Sequence, residues 1–194
     1  MSATWRMLSR LFTESRMHQS IADADGADLF WSGYAGYLVK RYGFEAPLES
    51  ALAVTPGISD VIDVQAREQC RMIVEDLVEL GMPLARVLEI PHAHVHAFRD
   101  VRDALGWLYV SDRSASTHDL LVRKMPAACV RWARDGVAAR VAIGQALDAI
   151  TRCEADAVRI VDAAIAAFEH QHRWSRMPGS DLLSEPLAKV AAVR

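Results

Sequence analysis

The residue types that could do chemistry fall into three groups in this 194-residue chain. The first is histidine. His92, His94 and His96 stand in Pro91-His92-Ala93-His94-Val95-His96, and on an extended segment residues two apart face the same way, so three imidazoles could converge on a metal. No carboxylate accompanies them at helical spacing, and a solvated connection is the competing reading. His170 and His172 are two apart in a helical segment and point apart. His18 and His118 each lie on a helix that also carries an apolar face; a lone helical histidine is either a hydrogen-bonded surface residue or a ligand. The second group is the run Ser111-Asp112-Arg113-Ser114-Ala115-Ser116-Thr117-His118-Asp119, unbroken by Pro or Gly. Ser and Thr compete with helix hydrogen bonding, so such a run marks a polar cavity, a bend or a solvent side. The third is basic: Arg10 and Arg16 early, and Arg123, Lys124, Arg131 and Arg134 later. Guanidinium groups can grip carboxylates bidentately, and basic residues at a helix C-terminus also suit its dipole.

The elements that must position these residues are helical. The apolar residues recur with a period near 3.6, and the strand signature of alternating Val, Ile and Thr is almost absent. Trp5, Leu8, Leu11 and Phe12 share a face of a first helix. A second is predicted from about Asp28 to Tyr42, with Gly43 as its stop, and a short one after Pro47. Thr55-Pro56-Gly57 breaks the chain. A long helix is predicted from Val61 to Leu80, with Val64, Met72, Ile73, Leu77 and Leu80 inward and Arg67, Glu68, Arg71, Glu75 and Glu79 outward. The connection Leu88–His96 leads to a central helix from about Phe98 to Lys124, ended or kinked by Pro126. Two alanine-rich helices follow, about Val137–Arg152 and Glu154–Trp174. The expectation is an all-α single compact bundle of seven to eight helices over residues 1–177, then a tail, 178–194, with a short helix near Ser184 to Val193.

Composition excludes several classes. The formal net charge of −3 gives no reason to expect nucleic acid or an anionic membrane. No apolar run approaches the ~18–20 residues of a membrane span. Arg6, Arg10, Glu14 and Arg16 interrupt the first segment, so no signal peptide is read. Cys70, Cys129 and Cys153 are widely spaced and odd in number, which suits small core hydrophobes in a reducing, cytoplasmic setting.

The segment Ala104-Leu105-Gly106-Trp107-Leu108-Tyr109-Val110, followed by Asp112 and Ser114, resembles the distal helix of the heme oxygenase family, in particular its bacterial, biliverdin-producing members. Gly33-Tyr34-Ala35-Gly36-Tyr37-Leu38 through Tyr42-Gly43-Phe44-Glu45-Ala46-Pro47-Leu48-Glu49 resembles that family's second helix and the turn after it. Glu75-Asp76-Leu77-Val78-Glu79-Leu80-Gly81, Ala146-Leu147-Asp148 and Val161 to Phe168 are similar to later segments, in the same order. The likeness spans about Leu8 to Trp174. It implies a heme oxygenase-like fold and cleavage of heme (iron protoporphyrin IX) to biliverdin, iron and carbon monoxide. Dioxygen, an electron-donating reductase and a biliverdin-accepting protein such as a bacteriophytochrome would be the partners. On this chain the resemblance makes His18 the iron ligand, which would leave the sixth position open. Ser111, Asp112, Ser114, Thr117 and His118 would form the distal network, and Arg10, Arg16, Lys124, Arg131 and Arg134 would hold the propionates. The family carries glycines in the distal helix that let the backbone approach the heme; here Thr117 and His118 stand near those positions, and Arg113 replaces another small residue. His118 as a distal ligand, a displaced helix, and a scaffold that takes no heme are the three consequences open. A non-catalytic heme- or tetrapyrrole-binding or protein-interaction member of the same fold is the alternative function. A di-metal carboxylate centre ranks last.

Overall fold

The computed structural model describes residues 4–67, 69–122 and 136–177, with backbone alone at 4, 5, 29, 31, 32, 114–122 and 136–139. Among the described residues there are eight α-helices and no strand. They are α1 (Thr4–Glu14), α2 (Arg16–Ser32), α3 (Tyr34–Ala53), α4 (Gln69–Glu79), α5 (Leu84–Val87), α6 (Val101–Val122), α7 (Gly136–Ile150) and α8 (Glu154–Arg176). The central helix expected from the sequence is α6, which packs against α8, α7, α2 and α3. Its Ala104, Leu105, Leu108 and Val110 are wholly buried, and they meet a core that includes Leu11, Phe44, Leu48, Ile160, Ala164 and Phe168. A second apolar cluster, with Tyr37, Leu38, Ile73 and Leu77, joins α3 to α4. None of the described helices is long and apolar enough to cross a membrane.

Two glycines set the spacing of this bundle. A Cβ on Gly106 would sit 2.6 Å from Ile160 O, 2.7 Å from Ala163 Cβ and 2.8 Å from Ala164 N, so α6 and α8 cross at backbone contact. Gly43 does not stop a helix as the sequence suggests. α3 runs through it and through Pro47, because the missing side chain makes room for the chain crossing over it: a Cβ there would lie 2.5 Å from both Pro91 O and the Trp174 ring. Ala93 N–H donates to Gly43 O at 2.7 Å, and Trp174 Nε1 donates to Lys40 O at 2.8 Å. Lys40 Nζ returns to the last carbonyls of α8, donating to Met177 O at 2.6 Å, where a cation also suits the helix dipole. At the other end of α8, Asp156 accepts from the backbone N–H of Arg152 and Cys153 at 2.9 and 3.2 Å and closes a capping box.

The helix expected over Val61–Leu80 is shorter than its pattern. Residues Ile58–Asp60 and Gln65–Arg67 form 3-10 turns, and the α-helix starts only at Gln69. This re-aims Arg67, whose side chain is turned inward rather than out to solvent. The three-histidine segment is a connection without helix or strand, in which His92, His94 and His96 are exposed. Of the expected core cysteines, Cys70 is half-buried, Cys153 is exposed at the start of α8, and Cys129 lies outside the described residues. The tail 178–194 and its short helix lie outside them as well.

Candidate functional site

Little more than one turn of α6 brings Tyr109, Ser111, Asp112 and Arg113 to three different neighbours. Ser111 and Asp112 point toward α3 and the turn before α4. Ser111 Oγ donates to Glu45 Oε2 at 2.7 Å, and Arg41 donates to Glu45 Oε1 at 2.5 Å. Arg67 donates to the Asp112 carboxylate, and Gln69 Oε1 lies 3.4 Å from Ser111 Oγ. Arg41, Glu45, Arg67 and Asp112 thus form a buried quartet, two cations and two anions, with Glu45 only 1% exposed. Removing charges from water is costly unless each is paired and hydrogen-bonded, which this arrangement provides. Burial still pushes the Asp112 carboxyl above its ordinary range, with Arg67 pulling it partly back. Burial, reinforced by Glu49 and Glu45, likewise raises the neighbouring Cys70 thiol.

Tyr109 and Arg113 point the other way, toward α2. Gln19 Nε2 donates to Tyr109 Oη at 3.0 Å and to Ser15 Oγ at 2.7 Å. Arg113 donates to Asp23 at 3.1 Å, with its guanidinium 5.9 Å from the Phe12 ring centroid. A cavity of about 150 Å³ remains between α1, α6 and α7, bounded by Leu8, Phe12, Tyr109, Asp112, Arg113, Arg140 and Ile143.

His18 lies on α2 one residue before Gln19, and so faces α8 instead of α6. Its Nε2 is 3.5 Å from Glu169 Oε1, and its Nδ1 is buried with no hydrogen-bond partner among the described residues. Arg10, a candidate propionate partner, is held by Glu14 at 2.6 Å and Glu154 at 2.7 Å, and these carboxylates raise its pKa. Arg16 is exposed at the start of α2, with no ion pair among the described residues. Of Ser114, Thr117 and His118 only the backbone, within α6, is described. Arg123, Lys124, Arg131 and Arg134 lie outside the described residues. The structure therefore brings together Ser111 and Asp112, and sets His18 apart from both.

A heme between α2 and α6 would need open space between those helices at the level of Arg113. The described side chains fill it instead, through Arg113–Asp23 and Gln19–Tyr109, and the cavity beside Asp112 is far below the ~300–1,000 Å³ of ordinary ligand pockets. His18 does not line it. In this conformation the described residues do not fit heme at that place.

Nor do they gather for a metal. No group of three His, Cys, Asp or Glu side chains among the described residues is placed to hold one. Glu-x-x-His spacing occurs twice, at Glu89/His92 and Glu169/His172, but the first is off any helix and His172 Nδ1 is occupied by Asp25 Oδ2 at 2.5 Å. The residues that sequence reasoning missed are Arg41, Glu45 and Arg67. An Arg and a Glu four apart on a helix ordinarily read as a solvated pair; the only signal in the sequence is that both fall within the otherwise apolar run around Tyr42 and Phe44. No protein-family model, no curated protein and no solved structure matches the chain.

Proposed function

We propose that the chain is a heme oxygenase-like bundle that works as a non-catalytic binding member of that fold, for a tetrapyrrole or a protein partner, and does not cleave heme. One observation carries this reading: Arg113, at a position where the resembled family has a small residue, reaches across to Asp23 and ties α6 directly to α2. A porphyrin held between α2 and α6, as the resemblance implies, would have to displace this contact. The quartet behind it points the same way, because Asp112 is engaged by Arg67 and not directed at an open distal space.

Oxidative heme cleavage is the second reading, and His18 favours it. A buried ring nitrogen without a partner is rare in a folded protein, and such an atom often marks a missing ligand. Together with the ordered likeness of segments from Leu8 to Trp174, it supports His18 as an iron ligand.

Titration of the full chain with hemin, followed by addition of ascorbate or a flavin reductase under air, separates the two. The proposal expects no biliverdin absorbance and no Soret shift that His18→Ala abolishes. Biliverdin formed by the wild type and lost in His18→Ala overturns it in favour of the oxygenase. Arg113→Gly is the informative variant: removing the bridging side chain should raise hemin affinity at least tenfold if that side chain is what closes the face.

A further inference from the structure

On the opposite side of α6 from Asp112 lies a second, larger cleft of about 520 Å³, between the connection before α6 and the outer faces of α6 and α8. We propose that it is a binding site for a small planar aromatic carboxylate.

The floor is aromatic. Trp107 stacks on Phe44 with ring centroids 6.1 Å apart and an interplanar angle of 10°, and it meets Phe98 at 5.7 Å and His170 at 5.4 Å. Trp107 is only half-buried, so part of the indole faces the cleft. The rim is cationic. Arg99 comes from the connection and Arg173 from α8; both are exposed and neither has an anionic partner among the described residues. Asp103 is the one carboxylate in the lining, and it is already neutralised: Arg159 grips it through two hydrogen bonds of 2.8 Å. Its charge therefore does not cancel that of Arg99 and Arg173.

His94 and His96 complete the rim. Their rings meet edge to face at 4.3 Å at the mouth of the cleft. An imidazole offers at least one N–H donor in either protonation state. Burial, Arg173 and the two rim histidines together hold the His170 pKa below its ordinary value, and its ring lies beside Trp107. Stacking surface below and donors above match a flat ring bearing an anionic carboxylate at its edge. The volume falls within the range of small-ligand pockets. The site shares no residue with the face closed by Arg113 and Asp23, so it stands whichever way the heme question falls.

The test uses naphthalene-2,6-dicarboxylate as the probe, with 2-naphthol as a neutral control, titrated into the full chain by calorimetry and by the indole N–H signals of an NMR spectrum. The expected result is saturable binding of the dicarboxylate that shifts the Trp107 signal, assigned with Trp107→Phe. Arg99→Gln and Arg173→Gln should each weaken it about tenfold, and 2-naphthol should bind at least tenfold more weakly. Both arginines are exposed, and circular dichroism confirms that the variants keep their helices. Absence of saturable binding overturns the proposal, as does equal binding of the neutral control. Affinity unchanged in the Arg99→Gln/Arg173→Gln double variant overturns it too.

Discussion

The contact of α6 with α8 can be tested by placing one methyl group at two glycines. At Gly106 an added Cβ would stand 2.6–2.8 Å from three atoms of α8, two of them backbone, so no side chain can rotate away. Ordinary carbon contacts lie at about 3.5–4.0 Å. The helices must therefore part by nearly 1 Å. A gap of that size forfeits a quarter to a half of each contact's attraction along the crossing, and overpacking of this kind costs about 1–3 kcal/mol. Replacing a mid-helix Gly by Ala gives back up to about 1 kcal/mol. Because the obstructing atoms are mainly backbone, the upper half of the cost applies, and Gly106→Ala should lose about 1–2 kcal/mol net. Gly26, inside α2, has nothing within 4 Å of the same added atom. There Gly→Ala collects the propensity gain alone and should stabilise by about 0.5–1 kcal/mol. Urea denaturation of the three proteins, fitted with a common slope, reads both values. At roughly 2–4 °C per kcal/mol for a domain of this size, melting should shift down for one variant and up for the other. The same sign at both positions, or a Gly106→Ala protein as stable as the wild type, refutes the close crossing.

Further outcomes follow from single contacts. Glu45→Gln removes from the buried quartet the carboxylate to which Arg41 and Ser111 donate, and should cost about 3–5 kcal/mol in urea denaturation; the Arg41→Leu/Glu45→Leu double variant should recover more than half of that. Asp156 is held down to about 2 by the Arg152 backbone N–H and by Arg102. Its folded pKa lies below the unfolded value, so its contribution is present above the ordinary aspartate range and is lost as pH falls toward 2. Asp156→Asn should flatten the stability profile between about pH 4 and pH 2, measured by thermal melts across that range. Iodoacetamide at pH 8, followed by peptide mapping, should label exposed Cys153 in the native protein. It should leave Cys70, whose thiol is kept protonated by burial and by Glu49 and Glu45, unlabelled until denaturant is added.

How much of this could be read from residues alone depends on how local each feature is. The course of α6 was legible because the apolar positions from Val101 to Val110 repeat with the helix period, and no Pro or Gly breaks the polar run that follows. Gly43 was misleading because glycine is both a local stop and a place of close approach. Only the arrival of Pro91 and Trp174, distant in sequence, decides between those roles. One continuous helical period puts Arg67 outside, and two short 3-10 turns shift its direction inward. For the site, the helical setting of His18 was legible. Its direction, toward Glu169 and away from Arg113, depends on how α2 packs on α8. The pairing of Arg113 with Asp23 joins residues 90 positions apart, and no spacing rule reaches that far.

The buried quartet also constrains how this chain can change over generations. Arg41 and Glu45 come from one helix, Arg67 from a turn and Asp112 from another helix, so no single codon change removes a balanced pair. Losing one member strands its partner's charge in the core, a step selection would purge before a second change could repair it. Descendant sequences should therefore keep all four residues or have replaced them together through a weakly selected intermediate. While the quartet persists, the side of α6 that faces α3 is held to these residue types.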